Sequence, residues 1–215
     1  MPIKAVLLDL DGTLRDTRDI IYDSVQHALK LHAGKDFSRK DMDPYIHHHR
    51  EVYKGLVGEE GLEEFDEIYT KHIDQFLPSA ELFNGVEELL ETLQKDGYRV
   101  ALVSSARRGD EYLSQKGIHG HFEVIVGAHD VTRLKPDPEP VLVALKRLKI
   151  TADEAAMVGD MTADMESSKK AGVAYRIGIT HGFGKREQLQ DAGATHIIDS
   201  LMELSLLLKK IAGQK

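Results

Sequence analysis

Short apolar runs alternate along most of the chain with longer stretches in which apolar residues recur every three or four positions. Six runs read as strands: Ile3 to Leu10, Tyr98 to Val103, Phe122 to Val126, Ala155 to Val158, Tyr175 to Ile179 and His196 to Ile198. The first is apolar on both faces and rich in branched side chains, which predicts a strand buried inside a parallel sheet. The stretches between read as helices. Val86, Leu89, Leu90 and Leu93 share one helical face that closes near Gly97, and a short helix falls within Asp110 to Lys116. Pro140 can open the next, with Val141, Leu142, Leu145 and Leu148 facing inward. Ala163 to Ala171 is stopped by Gly172, and Glu187 to Ala192 follows. Asp199 or Ser200 then caps a last helix carrying Leu201, Leu204, Leu208 and Ile211. This alternation predicts an α/β fold, a parallel sheet covered by helices on both faces.

One block breaks the rhythm. Thr17 to Ala33 predicts a helix through Ile20, Ile21, Val25, Ala28 and Leu29, with Gly34 suited to its C-terminal cap. A weaker helical stretch from Ser38 to His48 is interrupted by Pro44, and Arg50 to Val57 predicts another short helix. Leu62, Phe65, Ile68, Tyr69, Ile73 and Phe76 form a stronger stripe that Pro78 ends. No strand pattern occurs between Asp16 and Ser79. Residues 16–81 are therefore expected to form a small helical domain inserted into a core of residues 1–15 and 82–215.

Composition narrows the partners. The 215 residues suffice for one α/β core with a small insert. Cys is absent, which excludes disulfides, thiol catalysis and Cys-ligated zinc. No apolar run is long enough to span a bilayer, and the start lacks the ordered regions of a signal peptide, so a cytoplasmic protein is expected. The net charge of −8 is concentrated in residues 16–81, which hold 15 acidic and 8 basic residues. Such a surface disfavours nucleic acid, whereas a few fixed donors in a cleft can still bind a small anion.

The chemistry collects at strand ends. Ligands of open α/β sheets bind beyond the carboxyl ends of the strands. Asp9 and Asp11, Ser104 and Ser105, Lys135 and Asp160 all follow predicted strands, so topology alone predicts that they converge. Carboxylates crowded near a core cannot all stay ionised without a cation. An oxygen-only site suits Mg²⁺, and lysine with a serine hydroxyl suits phosphate oxygens. One aspartate can attack phosphorus while another moves protons. There is no G-x-S-x-G elbow, no G-x-x-x-x-G-K-[ST] loop and no G-x-G-x-x-G turn after a strand.

Asp9-Leu10-Asp11-Gly12-Thr13, Ser104 after a strand, Lys135 in LKPDPEP and Gly159-Asp160-Met161-Thr162-Ala163-Asp164 resemble, in order and spacing, the four motifs of the haloacid dehalogenase superfamily. The runs NGVEELLETLQKDGYRVALVSS and LKPDPEPVLVALKRL are similar to its phosphoglycolate phosphatase-like branch. The resemblance implies a three-layer Rossmann-like core with residues 16–81 as a mobile cap. It implies Asp9 as nucleophile and Mg²⁺ ligand, and Asp11 as general acid/base with its backbone carbonyl on the metal. Ser104, Ser105 and Lys135 would bind phosphate, with Lys135 also restraining Asp9. Asp160 would complete the metal shell, Asp164 would support it or Lys135, and Thr13 would position Asp11. Dehalogenating members lack the second aspartate, so Asp11 favours phosphoryl transfer.

The expected activity is Mg²⁺-dependent hydrolysis of a small phosphorylated metabolite, phosphoglycolate first, by a monomer or homodimer. Pyrophosphatase, nucleotidase and sugar phosphomutase activities are the enzymatic alternatives, and a silent binding or scaffold protein the non-enzymatic one. Two positions depart from the family pattern. Asn84 replaces a common Pro, and Arg15 stands where many members of the family carry a small or apolar residue. Arg15, His47, Arg50 and Lys54 are candidates for contacts to an anionic substrate. The bland alternatives are a turn pair for Asp9 and Asp11, helix N-caps for Ser104 and Asp160, a solvated loop lysine for Lys135 and a polar surface turn for His47 to Arg50.

Overall fold

The computed structural model describes residues 2–46 and 49–213, leaving aside the side chains at 33, 44, 45, 49–53, 55 and 56. The chain divides into two compact units, Met1–Arg15 with Leu82–Lys215, and Asp16–Glu81.

In the larger unit, β1 (Ala5–Leu8), β2 (Arg99–Val103), β3 (Val124–Val126), β4 (Ala155–Gly159), β5 (Tyr175–Ile179) and β6 (His196–Ile198) form one sheet in the order β3-β2-β1-β4-β5-β6. Every pairing is parallel. Each strand lies inside a run read from the apolar pattern, or extends it by one residue at Gly159. β1 is central, with Ala5 in register with both Arg99 and Ala155.

The helices explain why β1 is apolar throughout. Five that follow the insert are α4 (Val86–Lys95), α5 (Gly109–Gln115), α6 (Glu139–Leu148), α7 (Thr162–Lys170) and α8 (Arg186–Asp191), and a sixth, α9 (Leu204–Gly213), closes the chain. Val6 and Leu8 pack with Leu90 and Leu93 of α4, Leu113 of α5 and Leu204 and Leu208 of α9. Ala5 and Leu7 pack on the other face with Val141, Ala144, Leu145 and Leu148 of α6. A fully buried leucine contributes about 1.5–3 kcal/mol, so β1 is held from both sides and its C-terminal end is a firm platform. Leu142, expected to face inward, is instead largely exposed. The buried stripe of α6 steps from Val141 through Ala144 and Leu145 to Leu148, which leaves Leu142 on the flank.

The chain runs from β1 outward to β2 and β3, then returns to place β4 on the other side of β1. That reversal opens a crevice at the carboxyl ends of β1 and β4, where α/β sheets bind ligands. Where the chain leaves this unit at Arg15 and returns at Leu82, the two segments pair antiparallel, with Phe83 N–H donating to Leu14 O at 2.9 Å.

The smaller unit holds α1 (Arg18–Ala33), α2 (Arg39–Ile46) and α3 (His49–Phe76), with no strand among the described residues. Val25, Ala28 and Leu29 of α1 are buried, as are Leu62 and Phe65 of α3. Gly34 ends α1 at φ 66°, its N–H bonded to Lys30 O. The two helices expected from Arg50 to Val57 and from Leu62 to Leu77 run as α3 with a break at Gly58, where φ is 73° and ψ is 169°, a conformation open to glycine. Among the described residues, no helix is long and apolar enough to cross a membrane.

Candidate active site

Asp9 is the first residue beyond β1. Its N–H still donates to Val158 O of β4 at 3.0 Å, so the sheet fixes its backbone while its side chain reaches the crevice. Lys135, in the loop between β3 and α6, is buried beside it. Its Nζ donates to Asp9 Oδ1 at 2.5 Å, to Asp164 Oδ1 at 2.5 Å and to Val103 O at 3.0 Å. An ammonium has three donors, and all three are used. Asp164 lies in the first turn of α7, and its other oxygen accepts the Met161 N–H at 3.0 Å. One carboxylate thus caps a helix and orients the lysine together.

Asp160, one residue past β4, has no exposed surface. Its Oδ1 accepts the Thr13 hydroxyl at 3.0 Å and its Oδ2 accepts the Phe183 N–H at 2.8 Å. Thr13, expected to position Asp11, therefore orients Asp160 instead. The bonds from residues 183 and 184 were not foreseen. Gly184 N–H donates to Asp160 O at 2.9 Å, and a Cβ on Gly182 would come 2.1 Å from Asp160 Oδ2. The sequence did carry a signal, Gly182-Phe183-Gly184 just after a strand, where glycine marks close backbone approach.

Asp9, Asp160 and Asp164 each offer an oxygen within 4.8 Å of the others, all three buried. Burial first, then the charges of Asp164 and Asp11, push Asp9 up to about 7 against the opposing pull of Lys135. Burial and the neighbouring Asp9 and Asp164 hold Asp160 well above the ordinary carboxylate range. Burial disfavours the Lys135 charge, but Asp164 and Asp9 outweigh it and raise its pKa. Three carboxylates facing one ammonium leave negative charge uncompensated, and hard oxygen donors at this separation could hold a metal ion.

The other candidates divide. Ser104 is buried just past β2, and its Oγ accepts the Ala106 N–H at 3.0 Å, which leaves its proton to give elsewhere. Ser105 beside it is exposed. Asp11 lies outside the carboxylate cluster, paired with Arg15. Arg15 is buried, with its guanidinium on Asp11 and over the Tyr112 ring. Lys54 is paired with Glu59 at 2.9 Å on its own helix. His47 and the side chain of Arg50 lie outside the described residues.

A parallel sheet carrying carboxylates beyond β1 and β4 and a buried lysine between them defines a hydrolase of the haloacid dehalogenase type. Residues 6–177 match the haloacid dehalogenase-like hydrolase family, and the chain belongs to it. Among its relatives is the pyrophosphatase PpaX of Bacillus velezensis, 36% identical over 184 residues, 79% of this chain and 80% of that protein. The pyrophosphatase PpaX of Halalkalibacterium halodurans is 34% identical over 95% of this chain and 96% of its own length. A solved structure from Bacteroides fragilis, assigned to the haloacid dehalogenase-like hydrolases, shares 30% identity with a TM-score of 0.84, covering 94% of this chain and 99% of that one.

Proposed function

We propose that this hydrolase is a Mg²⁺-dependent phosphatase that passes the phosphoryl group of a small phosphorylated metabolite to Asp9 and then to water. The observation that carries the reading is Lys135 Nζ held 2.5 Å from both Asp9 and Asp164, a lysine fixed against a carboxylate by residues from distant parts of the chain. Asp9 attacks phosphorus as the leaving-group oxygen departs with a proton from Asp11. Asp11 then takes a proton from water as the water oxygen bonds phosphorus and the acyl phosphate bond between Asp9 and phosphorus breaks, freeing the Asp9 carboxylate. Lys135 and the Ser104 hydroxyl bind phosphoryl oxygens. Asp9, Asp160 and the backbone carbonyl of Asp11 would hold Mg²⁺, which when bound supplies positive charge to the phosphoryl oxygens. Residues 16–81 are assigned the selection of the leaving group.

For the substrate, a phosphoglycolate-like monoester is the reading from the sequence. Inorganic pyrophosphate is a second reading, favoured by relatives named pyrophosphatase that match 79% and 95% of this chain. A phosphate-release panel of pyrophosphate, phosphoglycolate, sugar phosphates and nucleotides, with Mg²⁺ or chelator, separates them. We expect release only with Mg²⁺. Asp9→Asn is expected to lower turnover by about 10⁴-fold or more while the melting transition persists. Unchanged turnover in that variant would reject Asp9 as nucleophile.

A further inference from the structure

Among the described residues, Arg15 is the largest side chain with almost no exposed surface, and an arginine is costly to bury unless its charge is used. The backbone puts it beside Asp11. Leu14 and Arg15 N–H both bond Leu10 O, Gly12 N–H bonds Arg15 O at 2.9 Å, and residues 11 and 15 form a bridge. Arg15 Nε donates to Asp11 Oδ1 at 2.5 Å and Nη2 donates to Asp11 Oδ2 at 3.1 Å. The guanidinium carbon lies 4.5 Å from the centre of the Tyr112 ring, which supports the fork from α5. Both oxygens of Asp11 are therefore held by one planar group, which the bulk of the core immobilises in turn.

We infer that Arg15 is a positioning residue for Asp11, not a substrate ligand: its fork fixes the plane of the carboxylate, and Oδ2, held by the longer bond, keeps a second lone pair to exchange protons with the leaving group and with water. The inference rests on the phosphatase reading and adds to it the control of the acid/base. Its fork geometry requires arginine, since lysine offers a point charge that cannot grip both oxygens.

Leaving groups provide the test. An alkyl phosphate needs a proton on its departing oxygen, whereas p-nitrophenyl phosphate releases a stabilised phenolate. Arg15→Met is expected to lower the first-turnover release of the alcohol from the best alkyl phosphate by about 10²-fold and that of p-nitrophenol by less than about threefold, while kcat falls for both because hydrolysis of the shared intermediate also uses Asp11. Arg15→Lys should fall between. In an Asp11→Asn background, Arg15→Met should cost nothing more. If Arg15→Met does not fold, Tyr112→Leu, which removes the ring beneath the fork, should shift the same ratio in the same direction. Equal losses in first-turnover release from the two esters, or a raised KM with first-turnover release and kcat held, overturn the inference while the phosphatase reading stands. No turnover of either ester by the parent, or turnover that survives Asp9→Asn, removes that reading and the Arg15 inference with it.

Discussion

Both units carry exposed ion pairs, but among the described residues only the larger one also buries charges. In the larger one, Asp9, Lys135, Asp160, Asp164 and Arg15 are buried, and most of their bonds join residues far apart in sequence. In the smaller one, Lys30–Asp36, Lys54–Glu59 and Arg39–Asp19 are exposed pairs between residues of one local segment or of neighbouring helices. Water screens the second kind, and such pairs contribute roughly 0–1 kcal/mol. The first kind cannot be screened. Each buried charge must be matched, and a mismatch becomes a demand for a ligand or a cation. The lesson is that buried, unbalanced charge identifies a working site, whereas an abundance of charge does not.

That contrast can be broken at several points. The largest effect is expected from Lys135→Met, which leaves three carboxylates with no cation. Turnover should fall by about 10³-fold and the metal-free protein should lose about 3 kcal/mol, with Mg²⁺ restoring part of the stability but little of the rate. Thermal melts with and without the metal check it, and a wild-type melt in the variant would mean the lysine charge is not what balances the site.

A smaller effect concerns pH. Asp9 titrates at about 7 in the folded chain against an ordinary 3.8, so folding takes up a proton between those values. The metal-free protein should therefore lose stability from this group as pH rises from about 4 to about 7. Asp160, also raised, acts in the same sense. Mg²⁺ competes with those protons, so its stabilisation should grow over the same range. Melting temperatures in chelator, compared with Asp9→Asn, measure this. If the variant shows the same pH slope as the parent, Asp9 is not the group responsible.

The smallest effect is expected in the insert. Lys54→Ala removes an exposed ion pair and should change stability by less than about 1 kcal/mol. Turnover and KM should stay within about twofold. A large rise in KM would instead give Lys54 the substrate contact that its sequence context raised, and would narrow the difference between the units.

Much of the fold was legible because period and burial are local signals. β1 is apolar on both faces and lies between helices, and α9 buries the Leu204, Leu208 and Ile211 stripe its spacing required. Leu142 was misread because four apolar residues within two turns leave the buried face ambiguous by one position. Arg15 is a candidate substrate contact by sequence because an arginine beside acidic motifs looks like an anion ligand, and the sequence does not show the pairing with Asp11. Its place in a turn, four residues from Asp11 and over Tyr112, depends on α5, nearly a hundred residues away. The backbone bonds from residues 183 and 184 to Asp160 are marked in the sequence by Gly182 and Gly184 alone, which indicate a close backbone approach but do not name its partner.

The order of residues alone determined the α/β alternation, the helical insert and the placing of Asp9, Lys135 and Asp160 after strands, since these follow from hydrophobic period and parallel topology. Tertiary structure alone decided which partner each charged group took. Thr13 went to Asp160, Asp164 to Lys135 and Arg15 to Asp11, because hydrogen bonds reach only about 3 Å and depend on side-chain direction, to which sequence spacing is blind.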